Sequence, residues 1–276
     1  MSKVISIEEA AAKIPDGARI GFGGGGATYR RPLDFSRALV QVGVKDLNIY
    51  HYLGGLEVDL LIGAGAVAST NCVYVGLLEH GQAPNFQRAA REGRIEVNEY
   101  SEYLFAGALR AADMGLPFIP WKTPWLSDIS KHLGYKTISD PYTGTELLAV
   151  PAIELDFAVI HVDRCDEDGY IEYPDEPDLV WDHDWLVARV ARQTIVCAEE
   201  VAPTRDPARV AVIGREIAWV VETPGGAWPC GSHPRYEPDL EHLLQVYLPA
   251  AAAGDEAFAA YLEEYGDPIG RGNLVG

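Results

Sequence analysis

Five of the six residues from Gly21 to Gly26 are glycine, and the last four of them are consecutive. Glycine weakens helix and strand alike and is favoured where the backbone takes a positive φ or approaches another group closely. The stretch therefore has to be a loop, and its flanks define what it joins. The short run Ala18 to Phe22 enters it as a strand. Pro32 sits where a first helical residue is expected, and Phe35, Ala38, Leu39 and Val42 recur at i, i+3, i+4 and i+7 before a stop at Gly43. Strand, glycine loop, helix is a unit that aims backbone N–H groups at an anion or a planar amide near a helix N-terminus. On this reading Gly23, Gly24, Gly25 and Gly26 bind substrate, with Arg30 and Arg31 adding charge at the loop's exit, and none of the four glycines serves packing. The alternative is a plain surface turn. The loop lacks the Lys-Ser/Thr of a phosphate-binding P-loop and fits a dinucleotide fingerprint poorly.

The rest of the chain repeats the beat. Apolar runs at Leu47 to Tyr52, Cys72 to Val75, Ile95 to Tyr100 and Phe157 to Val162 read as strands, as do Thr194 to Ala198, Val210 to Ile213 and Ala218 to Val221. Helical patterns fall at Ser6 to Ile14, Val58 to Ala64, Asn85 to Glu92, Ser101 to Met114 and Asp182 to Arg192, then at Leu240 to Leu248 and Glu256 to Tyr265. This alternation predicts an α/β fold: an open, mostly parallel sheet with helices on both faces. Residues 1–276 read as one domain with a long insertion-like segment at about 120–151, where a short two-stranded piece is expected, and with frayed last residues from Gly270.

A formal net charge of −19 and a pI near 4.7 argue against a nucleic-acid or anionic-membrane surface, which needs stripes of Lys and Arg. Cys72, Cys165, Cys197 and Cys230 are scattered without metal-ligand or redox spacing, which predicts reduced thiols. There is no apolar leader and no apolar run of membrane-spanning length, so the expected location is the cytoplasm.

Glu102 is the leading candidate for proton transfer. It follows a strand at the first turn of a helix, among Tyr100, Tyr103, Leu104 and Phe105, where desolvation would raise its proton affinity. The alternative is a solvated helix-end carboxylate. His51, at the end of the second strand, is either a donor to a ligand or a satisfied core histidine. His161 inside an apolar strand reads as structural. Ser69-Thr70-Asn71 reads as a polar contact or a turn. Asp182-His183-Asp184 cannot ligate one ion, because adjacent helical residues do not share a face. An acidic cap with an exposed His183 is expected there, and no metal site.

Several stretches together resemble the A (alpha) subunit of the family I CoA-transferases, nearest the glutaconate CoA-transferase type. They are Gly21 to Pro32, Glu102 to Pro120, Pro151 to Arg164 with Gly169, Asp184 to Glu199 and Pro224 to Pro229. The resemblance implies an open α/β fold and a homologous B subunit as partner, in a heterodimer or heterotetramer. It also implies acyl-CoA and carboxylic acid substrates, with coenzyme A as a substrate moiety and no tightly bound cofactor. In that family the glutamate that becomes a CoA thioester belongs to the B subunit, and the matching stretch here, Ile49-Tyr50-His51-Tyr52, has no acid. The implied function is therefore the A subunit of a heteromeric acyl-CoA transferase that moves CoA between carboxylic acids. A related branch hydrolyses a steroid-derived ring on a CoA thioester, and it resembles this chain in Arg30-Arg31-Pro32 and Glu102. That implies an acyl-CoA or ring-opening hydrolase as the alternative, with Glu102 catalytic. A non-catalytic acyl-CoA-binding subunit is the third reading.

Overall fold

The computed structural model describes residues 2–122, 128–174, 181–204 and 206–268, with Trp181 and Asp182 described in backbone only. The first half runs α1 (Ile7–Ala11), β1 (Arg19–Phe22), α2 (Leu33–Val42), β2 (Leu47–Gly54), α3 (Leu56–Gly63), β3 (Val67–Val75), α4 (Pro84–Arg91), β4 (Glu96–Glu99) and α5 (Glu102–Asp113). An antiparallel unit follows: β5 (Phe118–Trp121), α6 (Asp128–His132), β6 (Lys136–Ser139) and β7 (Glu146–Pro151). The chain then returns to the main sheet with β8 (Leu155–Cys165), β9 (Ile171–Glu172), α7 (Trp181–Val190), β10 (Ala191–Val201), β11 (Val210–Val212) and β12 (Trp219–Glu222). It closes with α8 (Leu240–His242), a π-helical turn over Leu243–Tyr247, α9 (Leu248–Ala253) and α10 (Asp255–Tyr265).

The main sheet is parallel along the path β12-β10-β8-β1-β2-β3-β4, and β9 and β11 add a short antiparallel end. From β1 the chain works outward through β2, β3 and β4, then returns to β1's other side and works outward through β8, β10 and β12. The order thus reverses between β1 and β8, and open α/β sheets bind ligands beyond the carboxyl ends of the strands at such a reversal. The glycine loop leaves β1 at that point. Helices cover both faces. Phe35 and Leu39 of α2 pack with Ile20, Phe22, Val159 and Ile195 on one side. Leu104, Phe105 and Ala108 of α5 join Val187 of α7 and Ala158 on the other.

Two expectations need adjustment. The insertion-like segment carries three strands in the order β5-β7-β6, not two, because Glu146–Pro151 pairs on both edges. Ser69-Thr70-Asn71 is no turn: it lies inside β3, where Ser69 Oγ donates to Asn48 Oδ1 at 2.7 Å and Asn71 Nδ2 donates to Ser69 Oγ at 3.2 Å. The final stretch expected to fray lies, from residue 269 on, outside the described residues.

Candidate functional site

The first half of the glycine loop is closely packed. A Cβ on Gly21 would stand 2.6 Å from Leu155 Cδ1, and one on Gly23 would stand 2.8 Å from both Asp184 Cγ and Ile160 Cγ2. Gly24 has φ +134°, and a Cβ there would meet Arg31 Cδ at 3.0 Å and the Arg30 carbonyl at 3.1 Å. The expectation that these glycines have no packing role is therefore wrong: their missing side chains are the space that Asp184 and Arg31 occupy. At Gly26, with φ +56°, a Cβ would meet nothing.

The loop's amides divide in the same way. Gly23 N–H donates to the Val159 carbonyl at 2.9 Å, Gly24 N–H to Asp184 Oδ1 at 3.0 Å, and Gly25 N–H to the Tyr29 carbonyl at 3.0 Å, which closes a small hairpin. Among the described residues the amides of Gly26, Ala27 and Thr28, at the hairpin's tip, donate to nothing. Of the four glycine amides expected to face a substrate, three are spent within the chain, and the free donors lie one step further along.

Arg30 and Arg31 do not present charge to a ligand as expected. Arg30, held at φ 51°, directs its guanidinium to Asp184 on α7, and both side chains are buried. Arg31 is 0% exposed. Its Nη1 donates to the Leu53 carbonyl at 2.6 Å and to Glu57 Oε1 at 3.2 Å, and its Nη2 donates to the Gly26 carbonyl. Glycines line both sides of it, since a Cβ on Gly55 would stand 3.0 Å from Arg31 Cζ. Burial opposes the charge on Glu57, but Arg31, His51 and the Gly55 N–H outweigh it and hold the carboxyl down to about 2. His51 is the satisfied core histidine of the two alternatives. Its Nδ1 accepts from Leu53 N–H at 3.1 Å, and its Nε2 lies 2.9 Å from Arg31 Nη1 and 3.1 Å from Glu57 Oε1. Burial, the largest cause, and the neighbouring Arg31 lower its proton affinity against the pull of Glu57.

Glu102 opens α5 behind the Ser101 N-cap, whose Oγ accepts from Leu104 N–H at 3.3 Å. Its side chain is exposed, so the chain itself does not supply the desolvation expected of it. A line of rings joins that helix end to the loop: Phe105 meets Tyr52 edge-on at 6.1 Å, and Tyr52 lies 4.0 Å from the tilted ring of His183, next to Asp184. His183 is thus half-buried against a ring rather than exposed, and Asp184 is an ion-pair partner rather than a solvated cap. No group of side chains suited to a metal occurs among the described residues.

Sequence reasoning missed Glu57 and Glu199. His161, expected to be structural, is fully buried, and its Nε2 lies 2.8 Å from Glu199 Oε1. Glu199 also accepts from Gly225 N–H at 2.6 Å and from the Tyr236 hydroxyl. Burial would raise its pKa, yet these donors hold it below the usual carboxylate range. The four cysteines are free and buried, and burial pushes Cys72 up to about 12, so none is a ready nucleophile.

Fold and site together define a doubly wound α/β protein whose glycine loop follows the central strand at the switch point. The coenzyme A transferase family profile matches residues 4–221, and the chain belongs to that family. It is 31% identical over 242 residues to the cholesterol ring-cleaving hydrolase IpdA subunit of Rhodococcus jostii, covering 82% of this chain and 79% of that protein. Among solved structures it matches glutaconate coenzyme A-transferase from Acidaminococcus fermentans with a TM-score of 0.86 and 27% identity, over 96% of this chain and 88% of that one. It matches a variant of the decarboxylase AibA/AibB with a TM-score of 0.84 and 31% identity, over 95% of this chain and 100% of that one. An uncharacterised Archaeoglobus fulgidus protein is 32% identical over 95% of this chain, which spans only 59% of that relative's length. No helix among the described residues is long and apolar enough to cross a membrane.

Proposed function

We infer that the chain is the A subunit of a heteromeric acyl-CoA transferase, with coenzyme A as a substrate moiety and a homologous B subunit as partner. One observation carries this reading. The carboxylates that pair with the two arginines of the glycine loop, Asp184 and Glu57, are buried. A carboxylate that attacks a thioester has to be accessible and free to form a covalent bond. On this reading the loop offers donors, and the partner supplies the glutamate. The acyl carbonyl sits at the tip amides of Gly26, Ala27 and Thr28, which stabilise the oxyanion as it develops. Purified chain and partner should together transfer CoA from an acyl-CoA to a carboxylate, and either one alone should not. Transfer by this chain alone would end the reading.

A second reading is a hydrolase subunit with Glu102 as general base. It is favoured by the exposed position of Glu102 at the α5 N-terminus, joined to the loop through Phe105, Tyr52 and His183, and by the likeness to a ring-cleaving hydrolase subunit. Here the partner's surface completes the desolvation that this chain leaves open. Release of free CoA or ring-opened product without a carboxylate acceptor distinguishes this reading from transfer.

A further inference from the structure

Glu199, near the carboxyl end of β10, is 5% exposed, and among the described residues no lysine or arginine pairs with it. A buried carboxylate without a counter-charge is costly unless hydrogen bonds replace its water. Two of its partners come from one later segment. Oε2 accepts from Gly225 N–H at 2.6 Å and Oε1 from the Tyr236 hydroxyl, while His161 Nε2 lies 2.8 Å from Oε1. Burial works against the charge, but these groups hold Glu199 below the usual carboxylate range, so at neutral pH it accepts and does not donate. One side chain on the sheet thus grips both ends of the segment 225–236. That segment is a strap across the glycine loop. Next to the first grip, the Gly226 carbonyl accepts from Asp34 N–H at 2.9 Å, in the first turn of α2. At the middle, Gly231 N–H donates to the Thr28 carbonyl at 2.7 Å, and the Gly231 carbonyl accepts from Arg30 N–H at 2.8 Å. The Tyr236 hydroxyl also accepts from Ala227 N–H at 3.2 Å, which ties the two ends of the strap to each other. Ser232, beside Gly231, is fully buried with its hydroxyl unpartnered among the described residues, so that side chain does not fasten the strap's middle.

We propose that Glu199 is a positioning residue: it latches both ends of the strap, and the strap holds Thr28, Arg30 and Asp34 where the reaction needs the glycine loop. None of its hydrogen bonds reaches the loop directly, so it acts through Gly225 and Tyr236. A carboxylate suits this task because the two ends donate to separate oxygens. A misplacement of about 1 Å in a group that orients the reacting centre can cost about a hundredfold in rate. Loss of the latch therefore falls on kcat and leaves the binding of the acyl-CoA as a whole little changed. The proposal rests on the reading that the loop orients the acyl group, and one part of its test is independent of turnover.

Amide hydrogen exchange is followed by NMR in the 15N-labelled full chain, for wild type, Glu199→Ala and Tyr236→Phe. The clasp is read at the amides of Arg30, Asp34 and Gly231. The amides of Asn48 and Tyr100, which donate to Ala18 and Cys72 elsewhere on the sheet, are the internal reference. In both variants the clasp amides should exchange at least tenfold faster, with the reference amides within twofold of wild type, because only the strap opens. In the assembled complex each variant should lose at least tenfold in kcat, with KM for the acyl-CoA within threefold. Clasp amides as protected as in wild type overturn the proposal. So does exchange that rises equally at the reference amides, which would mark a general loosening, and so does wild-type kcat with a fast-exchanging clasp. If Glu199→Ala does not fold, Tyr236→Phe, which removes a single oxygen, decides alone. A wild-type complex that transfers no CoA, with clasp amides that respond as expected, would instead overturn the transferase reading and leave the latch in place.

Discussion

Asp184, on the first turn of α7, accepts the Gly24 amide through Oδ1 at 3.0 Å while its Oδ2 holds the Arg30 guanidinium. A single carboxylate far along the sequence thus ties down both the middle and the exit of the glycine loop. Asp184→Asn keeps an acceptor for Gly24 but leaves Arg30 buried without its counter-charge. A loss of about 3–5 kcal/mol is expected on breaking such a pair, read from the urea midpoint, together with a fall in kcat of the assembled complex. A stability within 1 kcal/mol of wild type would show the pair to be dispensable.

The four glycines should not be equivalent. Gly23→Ala drives a methyl into Asp184 and Ile160 at 2.8 Å, an overpacking expected to cost about 1–3 kcal/mol. Gly26→Ala meets no neighbour, and its cost is that of a left-handed backbone, about 1–2 kcal/mol. Gly26→Asn should recover part of it, since asparagine tolerates this region. Thermal melts of the three variants check the order, and an equal loss for Gly26→Ala and Gly26→Asn would refute it.

Glu102→Gln separates the two functional readings. The side chain is exposed at a helix N-terminus, so the change should alter stability by well under 1 kcal/mol. If Glu102 is a general base in the assembled site, the rate falls by about a hundredfold or more, and the acid limb of the pH–rate profile disappears. If the partner's glutamate does the chemistry, rate and acid limb survive. The measurement is kcat across pH for wild-type and variant complexes.

Two neighbours on α3 impose opposite pH dependences on stability. Glu57 is held down to about 2 against 4.5 in an open chain. Its contribution is complete above pH 4.5 and is lost as pH falls from there towards 2. Asp59 is fully buried and accepts from Phe86 N–H, Asn85 and the Tyr247 hydroxyl. Burial nevertheless raises it from 3.8 to about 6. The folded state then holds this proton more firmly than the unfolded one, so stability falls as pH rises from about 4 to 6, by on the order of 3 kcal/mol. Asp59→Asn should abolish that fall, whatever it does to the absolute midpoint. Urea midpoints at pH 4, 5, 6 and 7 give the comparison, and parallel curves for variant and wild type would reject it.

The alternation of apolar runs and helical periods was enough to predict a parallel α/β sheet, because strands buried on both faces read as continuous apolar runs, as Phe157 to Val162 does. The position of the loop was legible for a similar reason: four glycines admit no regular structure. Its internal workings were not. Burial of Arg30 and Arg31 depends on partners 154 and 26 residues away, Asp184 and Glu57, and no local period encodes such a pairing. Arginine next to glycine reads as exposed charge until the space that glycine leaves is seen to be filled by the arginine itself. Glu199 was hidden likewise, since its partners His161, Gly225 and Tyr236 come from three separate segments. Gly54-Gly55 was the one available hint, a second glycine pair after a strand that marks the other wall of the Arg31 slot.

The glycine loop is closed from the far end of the chain. Gly231 donates its N–H to the Thr28 carbonyl at 2.7 Å and accepts from Arg30 N–H at 2.8 Å, while Gly226 accepts from Asp34 N–H at 2.9 Å. During synthesis, which runs from the N-terminus, β1 to β4 and their helices are made long before the residues that fasten the loop. A nascent chain that has reached β12 holds every strand of the sheet, and Asp184 with them, but lacks the Gly226 and Gly231 contacts to the loop. A chain ending before Gly225 would lack the hydrogen bonds that Gly226 and Gly231 make with Thr28, Arg30 and Asp34.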